Sequence, residues 1–174
     1  MSDYAQLAAN ITLLALDVDG VMTDGAIIYA NSGEEIKAFN VKDGLGLTLL
    51  QDHGIDVVII TGRRSEVVTR RAQELGIETV IQGREDKRIA LTELMAQRQL
   101  TPAQVAYMGD DLPDLGALQL AGLGACPADA VQTIRDAADW VGTHKGGQGV
   151  IREFAELLLR ARGDWDHILA RYHL

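Results

Sequence analysis

Two pairs of aspartates follow apolar runs of this sequence, at the points where strands would end. Asp17 and Asp19 close the run "LLAL", and Asp110 and Asp111 follow "VAYM" after a single glycine. In open α/β sheets, ligands bind at the carboxyl ends of the strands, so we expect these side chains to share one crevice. Carboxylates that lie this close together cannot all ionise unless a cation lies among them.

Magnesium is the cation that fits this predicted site. Mg²⁺ prefers oxygen ligands and commonly bridges one or two carboxylates to the phosphate of a substrate. We expect Asp17 and Asp110 to bind the ion directly. Asp111 and Asp114 are expected to lie behind them as supporting groups.

A threonine and a lysine supply the groups that hold a phosphoryl group. Thr61 follows the apolar run "VVII", and Lys87 follows "TVIQG". Enzymes of phosphoryl transfer mainly position the reactants and neutralise charge on the phosphate oxygens, and an aspartate can be the nucleophile. We interpret Asp17 as this nucleophile and Asp19 as the group that protonates the leaving oxygen and later deprotonates the attacking water. Thr61 and Lys87 would hold the phosphoryl oxygens.

The elements that position these groups alternate along the chain. Short apolar runs are separated by stretches with helical spacing, which predicts an α/β fold with a parallel sheet between helices. The segment "GAIIYANSGEEIKAFN" breaks the alternation and predicts a β-hairpin inserted after the first strand, at about residues 25–39. We expect a single domain over residues 1–174, without a large cap domain and with a C-terminal tail at about 163–174.

Composition restricts the class of protein. A net charge of −9 argues against binding to nucleic acid or to an anionic membrane. The single cysteine, Cys126, cannot form an intramolecular disulfide. The N-terminal segment lacks the basic residues of a signal peptide. We therefore expect a cytoplasmic protein whose partner is a small molecule.

Four segments in order resemble the motifs of the haloacid dehalogenase (HAD) superfamily of aspartate-nucleophile phosphohydrolases. They are "LALDVDGVMTDG", "IITGR", Lys87 and "MGDDLPD". The resemblance implies a Rossmann-like fold, with Asp17 as nucleophile and Asp19 as acid and base. It also implies Mg²⁺ bound by Asp17, by the backbone carbonyl of Asp19 and by Asp110.

Three further segments resemble a capless branch of this superfamily, the 3-deoxy-D-manno-octulosonate 8-phosphate (KDO 8-phosphate) phosphatases. They are "GEEIKAFNVKDGLG", "TGRRSEVVTRRAQELGI" and "GGQGVIRE". The resemblance implies release of phosphate from KDO 8-phosphate in lipopolysaccharide sugar biosynthesis, by a homotetramer assembled through the hairpin. It also implies substrate contacts from Asp19, Asn40, Val41, Lys42, Asp43, Gly44, Thr48, Arg63, Arg71 and Lys87.

Other functions remain open at this stage. Lys42 stands where some relatives carry arginine, which changes the recognition of a carboxylate and leaves a nine-carbon keto-deoxy sugar acid phosphate as an alternative substrate. A phosphoaspartate receiver also combines carboxylates, a threonine and a lysine on a parallel sheet. Asp19, two residues after the predicted nucleophile Asp17, favours dephosphorylation instead. A scaffold without catalytic activity is the third alternative, and the intact set of candidate catalytic residues argues against it.

Overall fold

The structure, a computed structural model, describes residues 4–172. In chain order its helices and strands are α1 (Tyr4–Ala8), β1 (Leu13–Leu16), β2 (Ile28–Tyr29), β3 (Glu35–Ile36), α2 (Val41–Asp52), β4 (Asp56–Thr61), α3 (Glu66–Glu74), β5 (Thr79–Gln82), α4 (Lys87–Arg98), β6 (Val105–Met108), α5 (Leu115–Leu120), β7 (Leu123–Cys126), α6 (Gln132–Ala137), β8 (Trp140–Val141), α7 (Val150–Ala161) and α8 (Trp165–Tyr172). Short 3₁₀ turns precede β6 and α5.

Six parallel strands form the main sheet, in the order β5-β4-β1-β6-β7-β8. The central strand β1 pairs with β4 and with β6, so that Leu13 lies opposite both Asp56 and Val105. Because neighbouring strands run in the same direction, their carboxyl ends meet at one edge of the sheet. The polar residues that follow β1, β4 and β6 are therefore brought together, as predicted.

Helices cover both faces of the sheet. Leu14 and Leu16 of β1 pack in one core with apolar residues of α2, α3 and α7. Leu13 and Ala15 pack in a second core with residues of α4, α5 and α6. All four side chains are buried, which explains why β1 reads as a continuous apolar run rather than an alternating one. The predicted α/β fold is confirmed.

Polar caps set the starts of two helices near the sheet edge. The side chain of Asn40 accepts a hydrogen bond from the Lys42 N–H at 2.8 Å where α2 begins. Ser65 accepts one from the Val68 N–H at 3.3 Å at the start of α3. A side-chain oxygen at this position satisfies an N–H that has no partner within the helix. These caps fix where α2 begins after the hairpin and where α3 begins after β4.

The hairpin lies between β1 and α2 and forms a separate two-stranded antiparallel sheet. Ile28 pairs with Ile36, and the turn contains Gly33 at φ 88°. Within residues 4–172, the interval between β1 and α2 holds no other strand or helix, and the interval between β4 and α4 holds only α3 and β5. Neither interval contains a cap domain, which agrees with the predicted fold class.

The C-terminal segment forms α8 after Gly163, a residue with a positive φ of 81°. Trp165 and Ile168 of this helix are buried against the core that contains α7. The last two residues of the predicted tail, 173–174, lie outside the described residues. The expectation of one domain over the whole chain stays a prediction. No helix among the described residues has both the length and the apolar character needed to cross a membrane.

Candidate active site

A cavity of about 790 Å³ opens at the carboxyl edge of the main sheet, within the size range of small-molecule sites. It is lined by Asp17, Asp19, Gly25, Thr61, Gly62, Arg63, Glu85, Lys87, Asp110, Asp111, Pro113 and Asp114. All four predicted catalytic residues and all the predicted metal-site residues are in this group. The structure thus brings together residues that the sequence separates by up to 97 positions, from 17 to 114.

Lys87 is the cation at the base of the cavity. It opens α4, its side chain is buried, and its Nζ lies 2.9 Å from Oδ1 of Asp17 and 2.7 Å from Oδ1 of Asp114. Burial by itself would lower the pKa of Lys87, but the two carboxylates outweigh it and raise the pKa above its ordinary value. Lys87 therefore carries a positive charge beside the predicted nucleophile.

Asp114 is a fully engaged carboxylate. Its Oδ1 accepts the hydroxyl of Tyr107 at 2.7 Å in addition to Lys87, and its Oδ2 accepts the N–H groups of Asp110 at 3.1 Å and Asp111 at 3.2 Å. Asp114 is 1% exposed. These four contacts hold the lysine and the loop after β6 in place, a supporting role of the kind predicted for Asp114.

Tyr107 was missed by the sequence analysis. It lies in the middle of β6 and is completely buried. Burial, and then the charges of Asp114 and Asp17, raise its pKa well above the ordinary value, so the hydroxyl remains a donor. The available signal was a tyrosine inside an otherwise aliphatic strand, because a buried tyrosine hydroxyl requires a polar partner.

Asp17 and Asp110 hold excess negative charge. Burial raises the pKa of Asp17 to about 6, with Asp114 adding to the rise and Lys87 opposing it. Burial, and then the charges of Asp17 and Asp114, raise the pKa of Asp110 to about 7. One lysine is not enough to keep all of these groups ionised at neutral pH.

The same residues fit a hard divalent cation. One carboxylate oxygen from each of Asp17, Asp110 and Asp114 lies within 4.8 Å of the others. The oxygens of Asp114 are already occupied, whereas no hydrogen bond or ion pair reaches the Asp110 carboxylate from the described part of the chain. Asp110 is therefore free to bind Mg²⁺, and Asp17 offers the carboxylate oxygen that is not paired with Lys87.

Gly20 allows this close approach. It has a φ of 90°, and a β-carbon at this position would overlap the Asp110 carboxylate. A side chain is excluded by both the conformation and the space. The glycine of the "DVDG" segment is therefore required by the position of the Asp110 carboxylate.

Asp19 lies at the mouth of the cavity between two cations. Its Oδ2 is 3.7 Å from Nε of Arg63, and its Oδ1 forms an ion pair with Lys37. Lys37 comes from the hairpin, and the sequence analysis did not identify it. No local pattern signals this contact, because it joins two elements whose relative position depends on the whole fold.

Thr61 and Asp111 have local roles as well as a place in the cavity. Thr61 is buried at the end of β4, and its hydroxyl accepts the Arg63 N–H at 3.3 Å. Asp111 is exposed and accepts the Leu112 N–H at 2.7 Å, which starts the 3₁₀ turn before α5. Both side chains therefore shape the turns that line the cavity.

The remaining predicted substrate residues form a second group, outside this cavity. They are Asn40, Val41, Lys42, Asp43, Gly44, Thr48 and Arg71. Val41 is 82% exposed at the start of α2. Lys42 lines a different cavity, beside His144 and Arg152 of the segment around the start of α7. Within one chain, the predicted substrate contacts therefore fall into two separate places.

Several members of this second group have structural contacts. The Thr48 hydroxyl donates to the Gly44 carbonyl at 3.2 Å, and the guanidinium of Arg71 lies against Gly44 and 5.7 Å from the centre of the Phe39 ring. Asn40 donates its side-chain amide to the Gly147 carbonyl at 3.3 Å. These contacts hold the start of α2 against α3 and the loop before α7.

Asp43 caps a helix other than its own. Its carboxylate accepts the N–H groups of Gly149 at 3.1 Å and Arg152 at 2.8 Å, at the start of α7. Burial raises the pKa of Asp43, and these hydrogen bonds oppose the rise. Asp43 is 3% exposed, and its two carboxylate oxygens face α7 rather than solvent.

Comparisons with known sequences identify related phosphatases. A family model described as haloacid dehalogenase-like hydrolase matches residues 79–154. The 3-deoxy-D-manno-octulosonate 8-phosphate phosphatase KdsC of Yersinia pestis is 49% identical over 160 residues, which cover 92% of this chain and 86% of the relative. KdsC of Escherichia coli K12 is 44% identical over 165 residues, which cover 95% and 88%.

Solved structures agree with the fold. The 3-deoxy-D-manno-octulosonate 8-phosphate phosphatase of Moraxella catarrhalis, in complex with magnesium, phosphate and KDO, is 45% identical with a TM-score of 0.97 and 99% of each chain covered. The cobalt-bound phosphatase of Haemophilus influenzae is 41% identical with a TM-score of 0.86, covering 91% of this chain and 92% of that one. Both neighbours hold a metal, as the carboxylates here lead us to expect.

Replacing Tyr107 by phenylalanine is expected to lower the free energy of unfolding by about 1–3 kcal/mol, because a buried charged acceptor loses one of its donors. Urea denaturation would measure the change. The matched control is Tyr172→Phe, which removes an exposed hydroxyl and should change the free energy by less than about 0.5 kcal/mol. Equal effects of the two substitutions would contradict the role given to Tyr107.

The metal-free protein is expected to lose stability as the pH rises towards about 7. Unfolded aspartates ionise near pH 3.8, whereas Asp17 and Asp110 in the folded chain ionise near 6 and 7. The folded state therefore binds more protons in this interval, and the stability these groups contribute below pH 3.8 is lost as the pH rises through their folded pKa values.

Magnesium should reverse this loss. Since protons compete with the metal for the carboxylates, saturating Mg²⁺ is expected to raise the thermal midpoint more at about pH 8 than at about pH 5. Differential scanning calorimetry at both pH values would test this, with Asp110→Asn as the control in which the effect shrinks. A larger stabilisation at the lower pH would contradict the assignment.

Proposed function

The chain belongs to the family of 3-deoxy-D-manno-octulosonate 8-phosphate phosphatases among the haloacid dehalogenase-like hydrolases, and we propose that it hydrolyses KDO 8-phosphate to KDO and phosphate. This reaction belongs to lipopolysaccharide sugar biosynthesis. The observation that carries the proposal is the buried ion pair of Lys87 with Asp17, beside the free carboxylate of Asp110. It combines a nucleophile, a cation for phosphate and a metal position in one cavity.

Asp17 is the proposed nucleophile. An oxygen of its carboxylate attacks phosphorus, the bond between phosphorus and the sugar oxygen breaks, and an aspartyl-phosphate forms. Asp19 donates a proton to the leaving oxygen, which departs as the hydroxyl of KDO. Asp19 lies two residues beyond Asp17 and lines the same cavity, as this role requires.

The second step frees the enzyme. Asp19, now ionised, takes a proton from a water molecule, and this water attacks phosphorus of the aspartyl-phosphate. The bond to Asp17 breaks, phosphate leaves, and both carboxylates return to their starting states. One residue thus acts as acid and then as base, which distinguishes this chemistry from that of a stable phosphoaspartate receiver.

Fixed positive charge stabilises the transferring group. Mg²⁺ would be held by the side chains of Asp17 and Asp110 and by the backbone carbonyl of Asp19, and it neutralises charge on phosphoryl oxygens. Lys87 would contact another phosphoryl oxygen, since it already lies 2.9 Å from the nucleophile. Thr61 would donate its hydroxyl. Asp111 and Asp114 would support the metal-binding loop, as Asp114 does through the N–H groups of residues 110 and 111.

Recognition of the sugar acid is proposed to use two chains. Arg63 lies on the rim of the cavity of its own chain. The group at Asn40–Gly44, with Thr48 and Arg71, lies outside that cavity, so it would serve the site of a neighbouring subunit. Part of it would act through its backbone, because the Asp43 carboxylate is occupied by α7. This arrangement would close a cavity that has no cap.

A homotetramer assembled through the hairpin would supply this neighbour. The hairpin exposes several large apolar side chains, namely Ile27, Ile28, Tyr29 and Ile36. Apolar residues clustered on one small exposed element favour burial in an interface. We further propose that the whole chain is a single domain and acts in the cytoplasm, in accord with its single buried cysteine.

A nine-carbon sugar acid phosphate is the alternative substrate. Lys42 presents a point charge where arginine would offer a planar two-point contact to a carboxylate, and this difference acts on substrate choice. The relatives with 44–49% identity carry the eight-carbon name, which favours KDO 8-phosphate.

We expect the purified protein to release phosphate from KDO 8-phosphate in the presence of Mg²⁺. Activity should disappear with a chelator and in Asp17→Asn, because the metal and the nucleophile are both required. A malachite green assay would measure phosphate, and kcat/KM for eight- and nine-carbon sugar acid phosphates would rank the substrates. Undiminished turnover in Asp17→Asn would reject the nucleophile assignment, and a higher kcat/KM for the nine-carbon compound would reject KDO 8-phosphate as the substrate.

The hairpin interface predicts a stable tetramer in light scattering. Ile28→Asp places a charge in the apolar surface and should give smaller species with reduced kcat/KM, since each site would lose its neighbour. Glu34→Gln, at an exposed position of the same hairpin, serves as the control and should leave the mass unchanged. A wild-type monomer with full activity would contradict this prediction.

A further inference from the structure

Lys37 is a buried cation that no step described so far uses. It follows β3 in the hairpin, and its side chain is only 2% exposed. Its ammonium group forms an ion pair with Oδ1 of Asp19 and lies 3.3 Å from Oε1 of Glu35. A buried ammonium group is costly unless it is paired, so these contacts fix the lysine in one position.

The contacts of Lys37 extend to the start of α3. The second oxygen of Glu35 accepts the hydroxyl of Ser65, the residue that caps α3. Ser65 in turn follows the turn of Thr61 and Arg63, which lines the cavity. The ammonium group of Lys37 is thus anchored to two sides of the site, the loop after β1 and the loop after β4.

The two carboxylate oxygens of Asp19 lie beside different cations. Arg63 is 3.7 Å from Oδ2, and its side chain is 49% exposed, so this contact is screened by solvent and easily exchanged. Lys37 is buried and in direct contact with Oδ1. The orientation of the Asp19 carboxylate is therefore determined mainly by a residue of the hairpin.

We propose that Lys37 is a positioning residue that holds the Asp19 carboxylate in the orientation needed to deliver and accept its proton. The proposal rests on the function of Asp19 given above. Lys37 gives up no proton: the proton moves from Asp19 to the leaving oxygen, and in the second step from water to Asp19. The lysine side chain is covered, so its proposed action is on Asp19 and not on the sugar.

Lys37→Met is the first test. It keeps the length of the aliphatic stem and removes the charge. We expect kcat for KDO 8-phosphate to fall about 10²-fold, the scale of a misplaced general acid and base, with KM changed less than about threefold. Lys37→Arg keeps a cation at this position and is expected to recover at least about tenfold of the loss.

The leaving group separates positioning of Asp19 from a general structural effect. With p-nitrophenyl phosphate as the substrate, the leaving p-nitrophenolate needs no proton, so Lys37→Met should still form the aspartyl-phosphate rapidly. Hydrolysis of that intermediate needs Asp19 as the base and should be slow. Stopped-flow absorbance should therefore show a burst of about one p-nitrophenolate per site, followed by a slow steady state. If Lys37→Met lowered the rate of the burst phase and the steady-state rate by the same factor, the proposal would be overturned.

A double-mutant cycle with Asp19→Asn completes the test. If Lys37 acts through Asp19, the effect of Lys37→Met should shrink to less than about threefold in the Asp19→Asn background. Additive effects would overturn the proposal. Full activity of Asp19→Asn would instead reject the acid and base role of Asp19 itself, so the two failures are distinct.

Further variants cover a failure of Lys37→Met to fold. Glu35→Gln leaves Lys37 in place and weakens one of its anchors, so it should give the same burst at a smaller loss of kcat. Glu34→Gln, exposed on the same hairpin, should match the wild type. Thermal melting of each variant identifies those that fold. Wild-type kinetics for Lys37→Met or Glu35→Gln would overturn the proposal.

Discussion

The concentration of carboxylates at the carboxyl edge of the sheet is the constraint on which the other features depend. Asp17, Asp110 and Asp114 place ligand oxygens within 4.8 Å of one another in a buried setting. Lys87 compensates part of this charge, while burial and the neighbouring carboxylates raise the pKa of Asp17 to about 6 and that of Asp110 to about 7. A divalent ion supplies the remainder, so charge balance links the resting site to its phosphoryl chemistry.

The sequence predicted the parts of the molecule that depend on local order. The polar residues after β1, β4 and β6 could be placed together because strand ends in a parallel sheet share one edge. Tyr107 and Lys37 could not be found this way. The Tyr107 hydroxyl donates to the carboxylate of Asp114, seven positions later in the chain. Lys37 pairs with the carboxylate of Asp19, 18 positions earlier. Contacts of this kind follow from packing rather than from spacing.

The division of the predicted substrate residues was also beyond the reach of the sequence. Resemblance to a family identifies residues that act on one ligand, but it does not say which copy of the chain provides them. The structure separates the group at the start of α2 from the cavity that contains Asp17. Asp43, predicted to contact the substrate, is a clear case, since the structure shows its carboxylate capping α7, a contact that the sequence did not indicate.

The short hairpin carries two kinds of residue on very few positions. Its outer side presents Ile28, Tyr29 and Ile36 to solvent, while Lys37 turns inward to Asp19. Under the proposed assembly, one ribbon of chain would therefore serve both association of subunits and turnover. A substitution on either side of this ribbon would then be expected to alter both properties, because the two sides share the same few positions.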